Sequence, residues 1–220
     1  MDFDFDLVTI EYDLINSAGR PADEIRQIAS DETKFDRLQQ ELPKHVLELS
    51  SNTLLFRVRE HPGVPTEPWP GHGMRGHPDF PWARANVDGQ PVIYCADSTE
   101  TAFDEVRAKQ GTWFTIAALR PRRLLKLVSV VGRPGDAESS VALIDGWMSR
   151  PVNDRTRVLR PYPAANEQEY YYASQLFSCI VREAGYDGIR FTSSVHEGGT
   201  TFALFDPYCV DIVDLRLGQT

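Results

Sequence analysis

Six side chains of this chain combine types that could do chemistry with neighbours that would hold them in place. Arg57 lies in "TLLFRVRE", where Leu54, Phe56 and Val58 alternate with Leu55, Arg57 and Arg59 as the two faces of a strand. Arg84 closes an aromatic loop in "PWARAN", Tyr94 sits in "PVIYCA", and Glu105 follows eleven residues later in "DSTETAFDEVRAKQG". Ser193 and Ser194 end "YDGIRFTSS". On a helical wheel Ala102 and Val106 point to the core and Glu105 falls on the rim of that stripe. A carboxylate there is costly unless it is paired or hydrogen-bonded. Two readings stand: an ordinary helix-edge glutamate bonded to an arginine, or a carboxylate placed for catalysis. Composition and periodicity alone favour the first.

Other constellations carry less. His61, His72 and His77 share a Pro/Gly-rich stretch, yet they lack the short paired spacings of structural zinc sites and have no nearby cysteine or carboxylate, so no metal is expected. Ser193 or Ser194 with His196 and Asp187 could be drawn as a nucleophilic triad. There is no G-x-S-x-G elbow, and His196 follows the serines too closely along a strand end. No spacing selects a pair of glycosidase carboxylates.

The elements that must position these residues follow from patterning. Residues 1–52 read as an N-terminal helical extension, with Ile25, Ile28, Phe35, Leu38 and Leu42 at helical spacing and a break at Pro43. Residues 53–220 form the main domain. After the strand and helix around Tyr94 and Glu105, where Asp97 and Glu100 suit a capping box and Gly111 an end, "TWFTIAAL" and "LLKLVSVV" read as strands. A short helix over 138–148 and a loop over 149–165 precede "NEQEYYYASQLFSCIVREAG", a helix with Asn166 and Glu169 as its start signal and Gly185 as its stop. Three short strands complete the chain. Strands outnumber helices without regular alternation, so the fold class is α+β with a mixed, mainly antiparallel sheet.

Composition narrows the partners. The chain has 220 residues and a formal charge of −9, which disfavours sequence-independent binding of duplex nucleic acid. Its three cysteines, Cys95, Cys179 and Cys209, are odd in number and set in apolar segments, so they read as buried thiols in a reducing compartment. The acidic start "MDFDFDLVTI" is unlike a leader, and no apolar run approaches the ~20 residues of a membrane span. A cytoplasmic location without membrane attachment is expected, and a homo-oligomer is compatible with it.

The same residues resemble the RES domain family, whose name records its arginine, glutamate and serine. The matching pieces are "LFRVR", "RANVDGQPVIYCADSTETAFDEVR", "YYASQLFSCIVREAGYDGIRFTSS" and "TTFALFDP", covering roughly Leu54 to Pro207. The second block is the most specific, through Arg84, Asn86, Tyr94, Ala96, Ala102, Glu105 and Val106; Gln175, Asp187, Gly188 and Ser193 match in the third. Two departures stand out. The family's glycine before the loop arginine is Ala83, and the asparagine usual before the last apolar strand is replaced by Thr200 or Thr201.

The resemblance implies a fold like that of ADP-ribosyltransferase toxins and an activity on NAD. The expected activity is that of a toxin consuming NAD by hydrolysis or phosphorolysis of the nicotinamide–ribose bond, partnered by an Xre-type helix-turn-helix antitoxin. Transfer of ADP-ribose to a protein, and a non-catalytic interaction module on the same fold, remain alternatives. On the first reading Glu105 stabilises the ribosyl cation, and Arg57 and Arg84 hold the pyrophosphate. Tyr94 supplies a stacking face and a hydroxyl anchor. Ser193, with Ser194 as second choice, bonds the ribose or orients Glu105.

Overall fold

The structure is a computed structural model and describes residues 22–30, 35–75, 83–87, 89–107, 109–131, 144–145, 148 and 171–220. In chain order the described elements are α1 (Ala22–Ala29), α2 (Asp36–Glu41), β1 (Val46–Leu49), β2 (Leu55–Glu60), β3 (Ile93–Ala96), α3 (Thr99–Glu105), β4 (Trp113–Pro121), β5 (Leu125–Ser129), α4 (Tyr172–Glu183), β6 (Gly188–Thr192), β7 (Thr200–Leu204) and β8 (Val210–Gln219). The strands make one eight-stranded sheet in the order β1-β5-β6-β7-β3-β2-β4-β8. Only the β5–β6 pair is parallel. The α+β class with a mixed, mainly antiparallel sheet is therefore observed.

A flat sheet of this order is impossible. β4 ends at Pro121 and β5 starts at Leu125, although five strand steps separate them in the order. Four residues reach ~14 Å at most, whereas five steps in a flat sheet span ~24 Å. The sheet must roll, and the packing agrees. Leu49 of β1, Leu125 and Leu127 of β5, Leu119 of β4 and Val210 of β8 share one apolar cluster with Ile93, Cys95, Phe202 and Leu204, which marks the inner face. Met74 and Trp69, from the segment after β2, close that face.

Helices cover the outer face. Ile25, Ala29, Phe35, Leu38 and Leu42 pack with Leu176, Phe177 and Ile180 of α4 against Val128, Ile189, Phe191 and Ala203. The N-terminal helices thus share the main core. α3 lies on the same face further along, where Ala102 and Phe103 meet Phe56, Val58 and Phe114. All three cysteines are free and buried; burial pushes the thiols of Cys179 and Cys209 up to about 11 and about 12 respectively.

Several local expectations are corrected. Residues 46–49, read as part of a helical extension, form β1, which pairs with β5 from Val46↔Val128 to Leu49↔Leu125. Leu54 precedes β2 and is exposed, while Leu55 is buried, so both faces of β2 are covered at its start. α3 is capped by Ser98, whose Oγ accepts from the Thr101 amide at 3.0 Å, not by Asp97. Asp97 continues the line of β3 beside Thr200, and its carboxylate accepts there from the amide (3.0 Å) and hydroxyl (2.8 Å). The helix stops at Glu105, well before Gly111, because Arg107 adopts the left-handed conformation at φ 51°. The helix over 138–148 falls mostly outside the described residues, and the loop over 149–165 and the start signal at Asn166 and Glu169 fall wholly outside them.

Two stability predictions follow from this packing. A Cβ at Gly188 would lie 2.4 Å from the backbone oxygen of Ala203 across the β6–β7 ladder. Gly188→Ala should therefore destabilise the fold by about 1–3 kcal/mol, seen as a lower urea midpoint at unchanged slope. His61 is buried against Trp69, stacked at 5.0 Å, and its Nε2 bonds Thr115 Oγ1 at 2.8 Å. Burial, and then the nearby Arg59 cation, hold its pKa below the ordinary histidine value. The unfolded chain takes up this proton near pH ~6.5 and the folded chain resists it, so stability falls as pH drops below that value. In His61→Gln this acid-side loss should shrink in pH-dependent urea titrations.

Candidate active site

Three elements bring the site together from distant parts of the chain. Glu105 is the last residue of α3, half-buried, at the end of the helix where the carbonyl dipoles disfavour a negative charge. Two hydroxyls compensate it. Ser193 Oγ donates to Glu105 Oε1 at 2.7 Å and Thr201 Oγ1 donates to the same oxygen at 3.1 Å. Among the described residues no donor reaches Oε2. Among the described residues the carboxylate is thus held by one oxygen only.

Ser193 is itself fixed. Its Oγ accepts from the amides of Val195 (3.3 Å) and His196 (3.0 Å) while it donates to Glu105. A hydroxyl whose proton is committed to a carboxylate and whose lone pairs face two amides is an orienting group. The triad reading fails here on geometry. His196 Nδ1 bonds Asp104 Oδ2 at 2.6 Å, and Asp187 is engaged bidentately by Arg123 at 2.6 and 3.1 Å. The Ser194 hydroxyl is buried without a partner among the described residues.

Tyr94 lies on the same outer face. It opposes Ala203, its strand neighbour Ala96 opposes Thr201, and Thr201 also opposes Phe191. The tyrosine is therefore two residues, ~7 Å, along the strand from the position that touches Glu105. Its hydroxyl accepts from the Ala85 amide at 2.8 Å and donates to Asn86 Oδ1 at 3.0 Å. Burial pushes the phenol well above its ordinary pKa, so it stays neutral. The expected hydroxyl anchor for a ligand is thus occupied by the protein, and the ring packs against the outer-face cluster.

That hydroxyl bolts down the turn that carries Arg84. Ala83 and Asn86 exchange backbone hydrogen bonds at 3.2 and 3.3 Å, and Gln175 Nε2 of α4 donates to both of their carbonyls at 3.0 and 3.2 Å. Ala83, where the resemblance led one to expect glycine, is not in a left-handed conformation; among the described non-glycine residues only Arg107 is. Arg84 Nη1 donates to the Met148 carbonyl at 2.8 Å, and its charge acts on Tyr94.

Arg57 approaches from the other side of the sheet. β2 pairs with β4 along six residues but with β3 only at Phe56↔Ala96, so β2 and β3 part beyond that pair. Into the parting Arg57 Nη1 donates to the Tyr94 carbonyl at 2.7 Å, while its Nε has no partner among the described residues. Burial lowers the arginine's pKa. Neither Arg57 nor Arg84 meets a carboxylate among the described residues. Two half-buried guanidiniums, with no carboxylate partner among the described residues, thus lie on either side of β3 at Tyr94.

Of the six residues singled out from sequence, Glu105 and Ser193 are in direct contact. Arg57 and Arg84 both border Tyr94, and Ser194 stands unpartnered beside Ser193. Thr201 and Asp104 were missed as partners. Thr201 carried a partial signal, since the resemblance led one to expect an asparagine at position 200 or 201. Of the loop histidines, His61 is used as described above, His72 is exposed, and His77 lies outside the described residues.

Taken together these features define a rolled-sheet α+β protein with a one-sidedly anchored carboxylate on the helix-covered face. A family model described as "RES domain" matches residues 54–218, and the chain belongs to that family. No curated protein matches the chain. Among solved structures, a chain of the M. tuberculosis MbcT-MbcA toxin-antitoxin complex is similar at 11% identity, over 83% of this chain and 92% of that one, with a TM-score of 0.46.

Tyr94→Phe tests the bolt. It leaves the Ala85 amide without its acceptor, at a cost of about 1–3 kcal/mol, and should lower the urea midpoint. Gln175→Leu should do the same. Tyr94→Phe with an unchanged midpoint would show that the turn is held by other contacts.

Proposed function

We propose that the chain is a toxin of the RES–Xre type that consumes NAD by cleaving its nicotinamide–ribose bond. The observation that carries this reading is the Glu105 carboxylate, pinned at Oε1 by Ser193 and Thr201, with no donor on Oε2 among the described residues. In the reaction the C1′–N bond breaks, its electron pair leaves with neutral nicotinamide, and the ribose carries an oxocarbenium charge. No acid is needed for a neutral leaving group. One preorganised carboxylate oxygen beside the ribose answers the developing charge. The acceptor oxygen, from water or phosphate, then bonds C1′, and its proton passes to solvent.

The remaining residues take complementary parts. Arg84, which meets no carboxylate among the described residues, supplies local positive charge for the pyrophosphate in a chain of net charge −9, and Arg57, reaching the Tyr94 carbonyl from the other side of the sheet, adds its charge from behind β3. The Tyr94 ring offers a stacking face. Ser193 and Thr201 act on Glu105 itself. An Xre-type helix-turn-helix antitoxin is the partner that this family reading brings with it, and the cytoplasm is where such a toxin would meet NAD.

Incubation with NAD, followed by separation of products, tests the proposal. Free nicotinamide should appear together with ADP-ribose or ADP-ribose 1″-phosphate, and Glu105→Gln should reduce its release by about 10²-fold or more. Arg84→Ala should weaken NAD binding by about tenfold in calorimetry, as expected for a lost charged hydrogen bond. Label from NAD recovered on a protein would move the reading to ADP-ribosyl transfer. No nicotinamide at high protein concentration would leave an interaction module.

A further inference from the structure

We infer that His196 and Asp104 form a clasp that positions Glu105 by fixing the loop that carries Ser193. The inference rests on the functional reading above and names a positioning pair that the six sequence-selected residues do not include.

The loop between β6 and β7, residues 193–199, is closed on itself. The Ser193 amide donates to the Gly199 carbonyl at 2.9 Å, the Gly199 amide donates to the His196 carbonyl at 3.1 Å, and the Val195 and His196 amides donate to Ser193 Oγ. Such a unit moves as one body. Among the described residues Ser193 ties it to α3 by the bond to Glu105, and a single bond leaves a hinge. The second tie is the His196 imidazole on Asp104, 2.6 Å away. Consecutive α3 residues, Asp104 and Glu105, thus each receive a side chain from one closed loop. His196 serves at both ends, because its amide holds Ser193 Oγ while its ring holds Asp104.

The fit beside the clasp is close. A Cβ at Gly199 would come within 2.5 Å of Thr101 Oγ1 and 2.8 Å of His196 Cδ2, so only glycine lets the loop lie this near α3. Thr101 Oγ1 is in turn 2.8 Å from Ser98 Oγ, the helix cap. The His196 and Asp104 side chains are 32% and 52% exposed, so the pair adds little to global stability. Its effect is geometric. Misplacing an orienting hydroxyl by a fraction of an ångström lowers turnover without touching substrate affinity.

The test compares the full-length chain with His196→Ala, Asp104→Asn, the double variant and His196→Asn, whose amide can replace the Nδ1 contact. Steady-state NAD turnover is measured together with amide hydrogen exchange at Val195 and His196. The single variants should lose about three- to tenfold in kcat at unchanged KM, and the double variant should lose no more than either single one. His196→Asn should recover most of the rate. Exchange at the Val195 amide should quicken in the single variants. Unchanged kcat in His196→Ala, an additive double variant, or a loss confined to KM would each overturn the clasp, the last by making His196 a substrate contact. A parent chain that releases no nicotinamide refutes the functional reading instead, and the exchange data then judge the clasp alone: unchanged protection at Val195 refutes it.

Discussion

The structure depends on one hydrogen-bonded contact, the Glu105 carboxylate held at Oε1 by the hydroxyls of Ser193 and Thr201. The carboxylate is half-buried and stands at the negative end of a short helix, so it is disfavoured both by lost hydration and by the helix dipole. Hydrogen bonds to an ionised group are about twice as strong as neutral ones, and two of them converge here. They come from the loop after β6 and from β7, and the second depends on the register of β7. Thr201 faces Ala96 on one side and Phe191 on the other. A slip by one residue would turn its hydroxyl to the inner face and leave the carboxylate with one donor.

The positive half of the site is built by the opposite device. Arg84 is placed by a turn whose backbone is gripped from two sides, by the Tyr94 hydroxyl and by Gln175. Arg57 is placed by the break in the sheet, where β3 has lost its neighbour and a guanidinium takes the carbonyl that a strand would have taken. Both arginines are oriented by backbone carbonyls rather than by carboxylates. Among the described residues no carboxylate cancels their charge. The parting of β2 and β3 beyond the Phe56↔Ala96 pair makes this arrangement available.

Much of this was legible in the sequence, and the reasons for the rest are physical. Long apolar alternations such as "TWFTIAAL" and "LLKLVSVV" declared their strands, and the rim position of Glu105 followed from the 3.6-residue period. β1 was hidden because four residues after a proline-broken helix carry too little pattern to separate strand from helix. The cap passed from Asp97 to Ser98 because an aspartate at a strand end had a stronger cross-strand partner in Thr200. Partners of Glu105 were illegible for a deeper reason. Sequence periodicity reports the direction of a side chain within its own element, while Thr201 and Ser193 meet Glu105 only through the order β6-β7-β3.

The departure at Thr200 and Thr201 shows how such an order can be re-used. A single asparagine would offer a donor and an acceptor from one strand position. Here two adjacent threonines divide the work, because successive strand residues point to opposite sides. Thr200 ties β7 to Asp97 at the end of β3, and Thr201 ties the same strand to Glu105. A hydroxyl donating to Oε1 anchors the carboxylate and adds no competing donor near Oε2. The pair of threonines thus anchors the carboxylate at one oxygen, with no donor on the other among the described residues, while strand anchorage falls to the neighbouring residue.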